Sequence, residues 1–160
     1  MKKILVGSSI LAVITGILMI SGGMWGIAFT YRNVAQEKIT TPADASIPGA
    51  PVRGPLTLKS QADIIRHHTL TTTGGKTYAE MPRQVQKVDA DNKPVVDEQG
   101  NPVMVPNTTR DMWLTATTLT TALNLGIVTY LFSGLIILFG LISIWTGIVF
   151  YILSKSTKTS

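Results

Sequence analysis

The stretch from Leu125 to Leu153 reads LGIVTYLFSGLIILFGLISIWTGIVFYIL and contains no charged side chain. A second uncharged stretch, ILVGSSILAVITGILMISGGMWGIAFTY, runs from Ile4 to Tyr31 near the other end of the chain. An α-helix needs about 20 apolar residues to cross the roughly 30 Å hydrocarbon core of a bilayer. Both stretches exceed that length, so the sequence predicts a membrane α protein with two transmembrane helices, residues 4–31 and 125–153.

The first apolar run has a competing interpretation as a secretory signal peptide, because two lysines followed by an apolar stretch are typical of such peptides. The run is longer than an ordinary signal-peptide core, and no convincing small-x-small cleavage site follows it. We therefore expect an uncleaved membrane anchor. The chain has no cysteine, which excludes a lipoprotein anchor.

The charges beside the spans predict the orientation. Four lysines flank the spans at the two ends of the chain: Lys2, Lys3, Lys155 and Lys158. Short basic segments beside transmembrane helices stay on the cytoplasmic side. We therefore expect a plasma-membrane protein with cytoplasmic tails at residues 1–3 and 154–160 and an extracytoplasmic segment at residues 32–111. The net charge of +5 reflects this topology. A basic patch with interleaved aromatic residues, which would indicate a nucleic-acid partner, is not visible.

All eight prolines lie in the extracytoplasmic segment, and they predict a mostly extended chain. Residues Thr40 to Pro55 should run extended over a surface, because proline and glycine are too dense there for a helix or a central strand. One short helix is expected in LKSQADIIRHHTL, with Ser60 as its cap, Asp63 completing a capping box, and Gly74 or Gly75 ending it. Ala62, Ile65 and Thr69 would share one face of this helix.

The sequence KPVVDEQGNPVMVP predicts a short β-hairpin, with Val95 and Val96 paired against residues 103–105 around Gly100. The uncharged, threonine-rich residues 112–124 should form a helical extension of the second span. The extracytoplasmic segment has few large apolar residues and no disulfides, so we expect it to become ordered against another surface.

Small residues recur every seven positions in both spans, and this pattern predicts how the two helices pack. The residues that form these stripes are Ser9, Gly16, Gly23 and Thr30 in the first span, and Gly126, Ser133, Gly140 and Gly147 in the second. Small residues let helices approach closely in a membrane, so we expect an antiparallel hairpin packed stripe against stripe. The alternative is docking to neighbouring proteins, for which Gly22 and Gly26 form a GxxxG motif.

The stretch RHHTLTTTGGKTYAE contains two patterns that resemble sites. His67 and His68 point about 100° apart on a helix, so they cannot easily hold one metal ion together. GGKT is not a phosphate loop, because Leu70 stands where the first glycine is required. Neither span contains an ionisable residue, which argues against transport. We therefore expect no catalytic, cofactor-binding or metal residues, no bound cofactor and no small-molecule substrate.

The sequence GAPVRGPLT followed by QADIIRHHTLTTTGGKTYAE, between two spans, resembles a family of small actinobacterial two-span membrane proteins. That family is often labelled as an aromatic ring-opening dioxygenase. We expect no such activity here, because the chain shows no set of iron ligands at usable spacing. The resemblance covers the first span, residues 39–80 and the second span. The stretch from Met81 to Pro106 is longer than the corresponding connection in the family.

This resemblance implies an accessory subunit of the actinobacterial respiratory supercomplex, in which a cytochrome bcc complex is joined to an aa3 oxidase. The implied partners are integral membrane subunits of those enzymes, together with lipids. Contact with the partners is expected from the residues of the signature: Arg66, His67, His68, Lys76 and Tyr78. Two alternatives remain open at this point. One is a cell-envelope adaptor unrelated to respiration, and the other is a metal or redox enzyme that uses the histidines.

Overall fold

The computed structural model describes residues 2–156 of the chain. Its frame consists of three α-helices: α1 at Lys2–Gln36, α2 at Pro55–Thr72 and α3 at Thr108–Ser156. Between α2 and α3 lie a 3-10 turn at Tyr78–Glu80 and a two-stranded antiparallel sheet of β1, Gln84–Gln86, and β2, Met104–Pro106. Met1 and residues 157–160 lie outside the described residues, so the predicted tails, including Lys158, are described only in part.

Helices α1 and α3 contain 35 and 49 residues, and both are long and apolar enough to cross a membrane. The helical part of α1 continues past Tyr31 to Gln36. Helix α3 runs without interruption through the predicted extension and the predicted second span, as expected, and begins slightly earlier. Its start is fixed by Asn107, whose Oδ1 accepts a hydrogen bond from the Arg110 backbone N–H at 3.2 Å.

The two long helices pack antiparallel along the predicted stripes of small residues. The buried residues in this contact are Ser9, Gly16, Gly23 and Thr30 on α1, and Ser133, Gly140 and Gly147 on α3. A Cβ built on Gly16 would lie 2.6 Å from the Gly140 carbonyl oxygen, and one built on Gly140 would lie 2.8 Å from the Gly16 carbonyl oxygen. These backbones approach so closely that only glycine fits. The predicted hairpin is confirmed.

Gly126 departs from the predicted α1–α3 stripe. A Cβ at this position would lie 3.2 Å from Leu58 Cδ1, so this glycine faces α2 and makes room for a leucine. The two glycines of the GxxxG motif also face different surroundings. A Cβ on Gly26 would meet Ser133, whereas one on Gly22 would meet nothing within 4 Å. Gly22 therefore lies on an open face of α1.

The predicted start of the short helix is wrong by one and a half turns. Helix α2 begins at Pro55, which suits the first position of a helix because proline has no backbone N–H to satisfy there. Ser60 is not the cap. It lies inside the helix, where its Oγ accepts hydrogen bonds from the Ile47 backbone N–H at 3.0 Å and the Ser46 hydroxyl at 2.9 Å. Asp63 forms an ion pair with Lys59, one turn earlier.

The predicted end of α2 is confirmed. Gly74 and Gly75 have φ angles of 63° and 80°, in the left-handed region that glycine adopts without steric cost. The Gly75 N–H donates to the Leu70 carbonyl at 2.7 Å and the Gly74 N–H donates to the Thr71 carbonyl at 3.2 Å. This pair of bonds is a Schellman motif, which satisfies carbonyls that the helix would otherwise leave unpaired.

Residues 40–52 form a closed loop and do not run extended as predicted. Thr41 holds the loop together: its N–H donates to the Ala50 carbonyl at 3.0 Å, and its carbonyl accepts from the Gly49 N–H at 3.0 Å. The Val52 N–H then donates to the Ile39 carbonyl at 2.9 Å. The prolines and Gly49 impose turns, and the buried Thr41 satisfies the backbone groups that these turns leave free.

The loop and α2 share a small hydrophobic core with α3, at the end of the α1–α3 hairpin where α1 terminates. Its buried members are Val52, Leu58, Ala62 and Leu123. Partly buried residues pack around them: Val34, Ile39, Ile65, Ile127 and Tyr130. The expected helix face is confirmed, because Ala62 and Thr69 are buried and Ile65 is half-buried. We call residues 37–107 the central lobe.

The far part of the central lobe is built from a tandem repeat that the sequence interpretation missed. Residues 88–95, VDADNKPV, and 96–103, VDEQGNPV, each form a tight turn. In both turns the first Asp accepts two backbone N–H bonds through Oδ1, from Asp91 and Lys93 at Asp89 and from Gln99 and Asn101 at Asp97.

The predicted β-hairpin around Gly100 is confirmed for its inner residues, because the Val103 N–H donates to the Val95 carbonyl at 3.0 Å. Val105 pairs with Val85 of β1, which was not predicted. The Val95 N–H also donates to the Lys87 carbonyl at 2.8 Å, and the Lys87 N–H donates to the Val103 carbonyl at 2.7 Å. Three residues spaced eight apart, Lys87, Val95 and Val103, therefore close a ring of backbone hydrogen bonds.

Candidate interaction surface

An apolar groove lies where α1 ends, between α2 and the part of α3 above the predicted second span. It has a volume of about 530 Å³, within the roughly 300 to 1,000 Å³ range of ligand-binding pockets. The residues that line it are Asn33, Val34, Glu37, Ile39, Leu58, Gln61, Ile65, Leu119, Ala122 and Leu123. We call it the α2–α3 groove. Its polar side chains, Asn33, Glu37 and Gln61, are contributed by α1, the residue after α1, and α2.

Gln61 carries an unsatisfied polar atom in this groove. Its Oε1 is buried, and no hydrogen-bond partner for it exists among residues 2–156. A buried acceptor without a donor costs about 1 to 3 kcal/mol. The groove around Gln61 presents mainly apolar side chains, so it suits a partner that buries apolar surface.

A second depression continues the α2–α3 groove along the same two helices. It has a volume of about 230 Å³ and is lined by Ile65, His68, Thr69, Met112, Thr115, Ala116 and Leu119. Ile65 and Leu119 border both cavities. The combined surface therefore runs from the end of α1 to His68, and the sequence QADIIRHH forms one of its walls.

The signature residues Arg66 and Tyr78 are engaged within the chain. The Arg66 guanidinium carbon lies 5.6 Å from the centroid of the Trp113 ring, and the Arg110 guanidinium carbon lies 3.6 Å from the centroid of the Tyr78 ring. The Trp113 Nε1–H donates to the Lys76 carbonyl at 3.0 Å. The TGGKTY segment therefore docks on the first turns of α3, and these two side chains hold the lobe in place.

His68 is paired with the closed loop. Its Nε2 lies 2.6 Å from Asp44 Oδ2, and the hydrogen bond from His68 lowers the pKa of the Asp44 carboxyl. His67 is exposed, with its ring centroid 6.2 Å from that of His68. No three His, Cys, Asp or Glu side chains between residues 2 and 156 are grouped so that they could hold a metal ion. Of the five predicted contact residues, His67 and Lys76 leave their side chains most free for a partner.

Sequence interpretation missed two residues. The structure places Gln61 in the α2–α3 groove and Arg110 of α3 against Tyr78 of the central lobe. The signal for Gln61 was available, because it stands three residues after Leu58 and four before Ile65 on one helical face. A polar residue on that apolar face was the indication of a site. Arg110 had no comparable signal, since only the folded lobe brings Tyr78 beside it.

No protein-family model matches this chain, and neither curated proteins nor solved structures provide a match.

Proposed function

We propose that this chain is a two-span membrane protein that serves as a non-catalytic accessory subunit of a larger membrane complex. The observation that carries the proposal is the α2–α3 groove, an open apolar surface beside the spans. Such a surface is suited to a protein partner that buries apolar side chains against it.

Membrane insertion is supported by the side chains that α1 and α3 turn away from each other. Large apolar residues are exposed on both helices, including Leu11 at 67%, Leu131 at 63% and Phe132 at 64% exposure. Exposing so much apolar surface to water over two helices of this length would cost free energy, whereas lipid tails would cover it without that cost. With the flanking lysines on the cytoplasmic side, the central lobe and the groove would face the other side of the membrane.

The stretch from Gly49 to Glu80, with its resemblance to small actinobacterial membrane proteins, favours a respiratory complex of cytochrome bcc and aa3 oxidase as the partner. The central lobe suits such a role, because its own core is small and its groove is open. In this proposal the chain contributes contact surface, while heme and electron transfer belong to the larger subunits. His67, Lys76 and the groove residues would face those subunits.

The test is an affinity pull-down of the tagged full-length chain in mild detergent, followed by mass spectrometry and a reduced-minus-oxidised visible spectrum. We expect a- and c-type heme bands together with bcc and oxidase subunits. A colourless eluate that contains envelope proteins would replace the respiratory assignment with that of a cell-envelope adaptor. An eluate without any stoichiometric partner would refute the accessory role.

A matched pair of variants tests the groove itself. Leu119→Arg places a charge in the α2–α3 groove and should abolish recovery of the partner subunits. Leu56→Arg places the same charge on the outer face of α2, where the leucine is 75% exposed and does not line the groove, and should leave recovery unchanged. Equal recovery with both variants would show that docking uses another surface.

A further inference from the structure

A separate groove lies on α1, where the uncharged run ends at Tyr31 and Arg32 follows. It has a volume of about 310 Å³ and is lined by Met24, Ile27, Ala28, Tyr31 and Arg32. The first three residues are apolar, whereas Tyr31 and Arg32 place a hydroxyl and a guanidinium at its upper end. The groove therefore has the polarity of an amphiphile, with an apolar trough below and a cation above.

Arg53, the residue directly after the closed loop, reaches the same tyrosine. Its Nη1 donates to the Tyr31 hydroxyl at 3.2 Å, and its guanidinium carbon lies 5.9 Å from the ring centroid. The backbone of Arg53 is fixed at both of its polar groups: its N–H donates to Thr57 Oγ1 at 3.0 Å, and its carbonyl accepts from the Tyr130 hydroxyl at 2.6 Å. The fold thus holds a second guanidinium beside the upper end of the α1 groove.

Neither arginine is neutralised by the chain. Among the residues that the structure describes, ion pairs join Lys59 to Asp63 and His68 to Asp44, and neither pair includes Arg32 or Arg53. The acid nearest to Arg32 along the sequence, Glu37, lines the α2–α3 groove, and the one nearest to Arg53, Asp44, is paired with His68. Two free guanidinium groups around one tyrosine favour an anion with several acceptor oxygens, for which a phosphate is well suited.

The level of the site along α1 indicates where that phosphate comes from. On α1 the boundary between hydrocarbon and headgroups is marked by Tyr31, an exposed tyrosine at the end of the uncharged run. Arg32 follows Tyr31 directly, whereas Met24, Ile27 and Ala28 lie about 4 to 11 Å below Tyr31, at 1.5 Å per residue. The guanidinium groups are therefore at headgroup depth, and the trough from Met24 to Tyr31 is at the depth of an acyl chain.

We propose that this face binds one anionic phospholipid, with its phosphate held by Arg32 and Arg53 and an acyl chain lying against Met24, Ile27 and Ala28. The site rests on the proposed membrane insertion of α1, but it does not depend on the identity of any protein partner. A bound lipid would connect α1 to the closed loop at the membrane surface, and so fix the tilt of the central lobe.

The test is native mass spectrometry of the full-length chain purified with equal amounts of phosphatidylglycerol and phosphatidylcholine. We expect the wild-type chain to retain phosphatidylglycerol preferentially, by about fivefold for each arginine. Arg32→Gln with Arg53→Gln should remove the preference, whereas Arg32→Lys with Arg53→Lys should keep part of it. Arg83→Gln removes an exposed charge far from the α1 groove along the chain and serves as the control.

Equal retention of the two lipids by the wild-type chain, or an unchanged preference in the double glutamine variant, would overturn the lipid site. Resistance of the chain to alkaline extraction from liposomes separates this outcome from failure of the proposed function. A chain that is extracted does not span the membrane, and both proposals fail. A chain that stays inserted and prefers phosphatidylglycerol but recovers no protein partner loses only its role as an accessory subunit.

Discussion

The α1–α3 hairpin and the core of the central lobe are both close helix contacts, but they are made in opposite ways. In the hairpin Gly16 and Gly140 have no side chains, and the space that a Cβ would need is taken by each other's carbonyl oxygens and by the side chains of Ile144 and Ile20. In the lobe the contact is a large side chain, Leu58, which is fully buried between α2 and α3. In the proposed membrane setting the hairpin would gain little from burying apolar surface and would depend on close approach, whereas the lobe gains from removing leucine from water.

The hydrogen bonds of the hairpin and of the lobe differ in a similar way. Within the hairpin, serine hydroxyls donate across the contact to backbone carbonyls: Ser9 to Gly147 at 2.7 Å and Ser143 to Ala12 at 2.8 Å. A short side chain reaches a carbonyl only because the helices are so near. In the lobe, hydrogen bonds close loops and turns, as at Thr41. The hairpin should therefore be most sensitive to enlarging its glycines, and the lobe to truncating its buried leucine.

The strongest test of this comparison is Leu58→Ala. The substitution empties a fully buried position and should destabilise the lobe by about 2 to 5 kcal/mol. Hydrogen exchange of the α2 amides should accelerate accordingly, while exchange within the hairpin stays unchanged. The control is Leu56→Ala at a 75% exposed position of the same helix, with an expected change below about 0.5 kcal/mol. Similar acceleration in both variants would contradict the assignment of the core.

Gly140→Leu is the corresponding test of the hairpin. A Cβ at this position would meet the Gly16 backbone at 2.8 Å, and backbone cannot rotate away, so the helices must separate at a cost of about 1 to 3 kcal/mol. The chain has no cysteine, so Ala12→Cys with Ser143→Cys reports helix proximity by disulfide formation. We expect about tenfold slower formation in Gly140→Leu.

Gly134→Leu is the matched control for the hairpin. It introduces the same side chain into the same helix, but a Cβ there would meet nothing within 4 Å. Disulfide formation should therefore be as fast as in the chain that carries the two introduced cysteines and keeps both Gly134 and Gly140. If Gly134→Leu slowed it as much as Gly140→Leu does, the stripe would not be the contact surface.

Tyr130→Phe tests the connection between the two regions. Tyr130 lies near the top of the hairpin on α3, and its hydroxyl donates to the Arg53 carbonyl of the lobe at 2.6 Å. Loss of this bond should cost about 0.5 to 1.5 kcal/mol, visible as faster hydrogen exchange from residue 53 to residue 57. Tyr151→Phe, at an exposed position near the other end of α3, should leave that exchange unchanged. A larger effect from Tyr151→Phe would argue against this anchor.

The smallest effect is expected in the tandem repeat, as a response to pH. Backbone N–H donors, chiefly that of Asn101, lower the pKa of the Asp97 carboxyl. The ionised form stabilises the folded turn, so this contribution is complete above the ordinary pKa of about 4 and is lost as pH falls through the lowered value. The NMR shift of the Asn101 amide should report the change. Asp97→Asn keeps an acceptor oxygen without titrating, and should hold the turn at low pH. A turn that opened equally in both chains would show that Asp97 does not control it.

The sequence was most informative where one local rule dominated. Charge-free length predicted α1 and α3, the seven-residue spacing of small residues predicted their contact, and Gly74 with Gly75 predicted the end of α2. It was less reliable where two rules competed. Ser60 followed by Asp63 resembled a capping box, but Pro55 had already started the helix, which left Ser60 to bond the loop. The dense prolines of residues 40–52 indicated an extended chain, although they also permit the turns that Thr41 closes.

The sequence by itself determined the two long helices, the glycines between them and the turn that ends α2, since each depends on neighbours within a few residues or on a fixed period. Only the tertiary structure decided that Gly126 faces Leu58, that Arg53 reaches Tyr31, and that the Oε1 atom of Gln61 is buried without a donor. Those relations join residues far apart in the chain. Their positions depend on how the lobe closes over α3, and no local propensity encodes a distance between segments that meet only after folding.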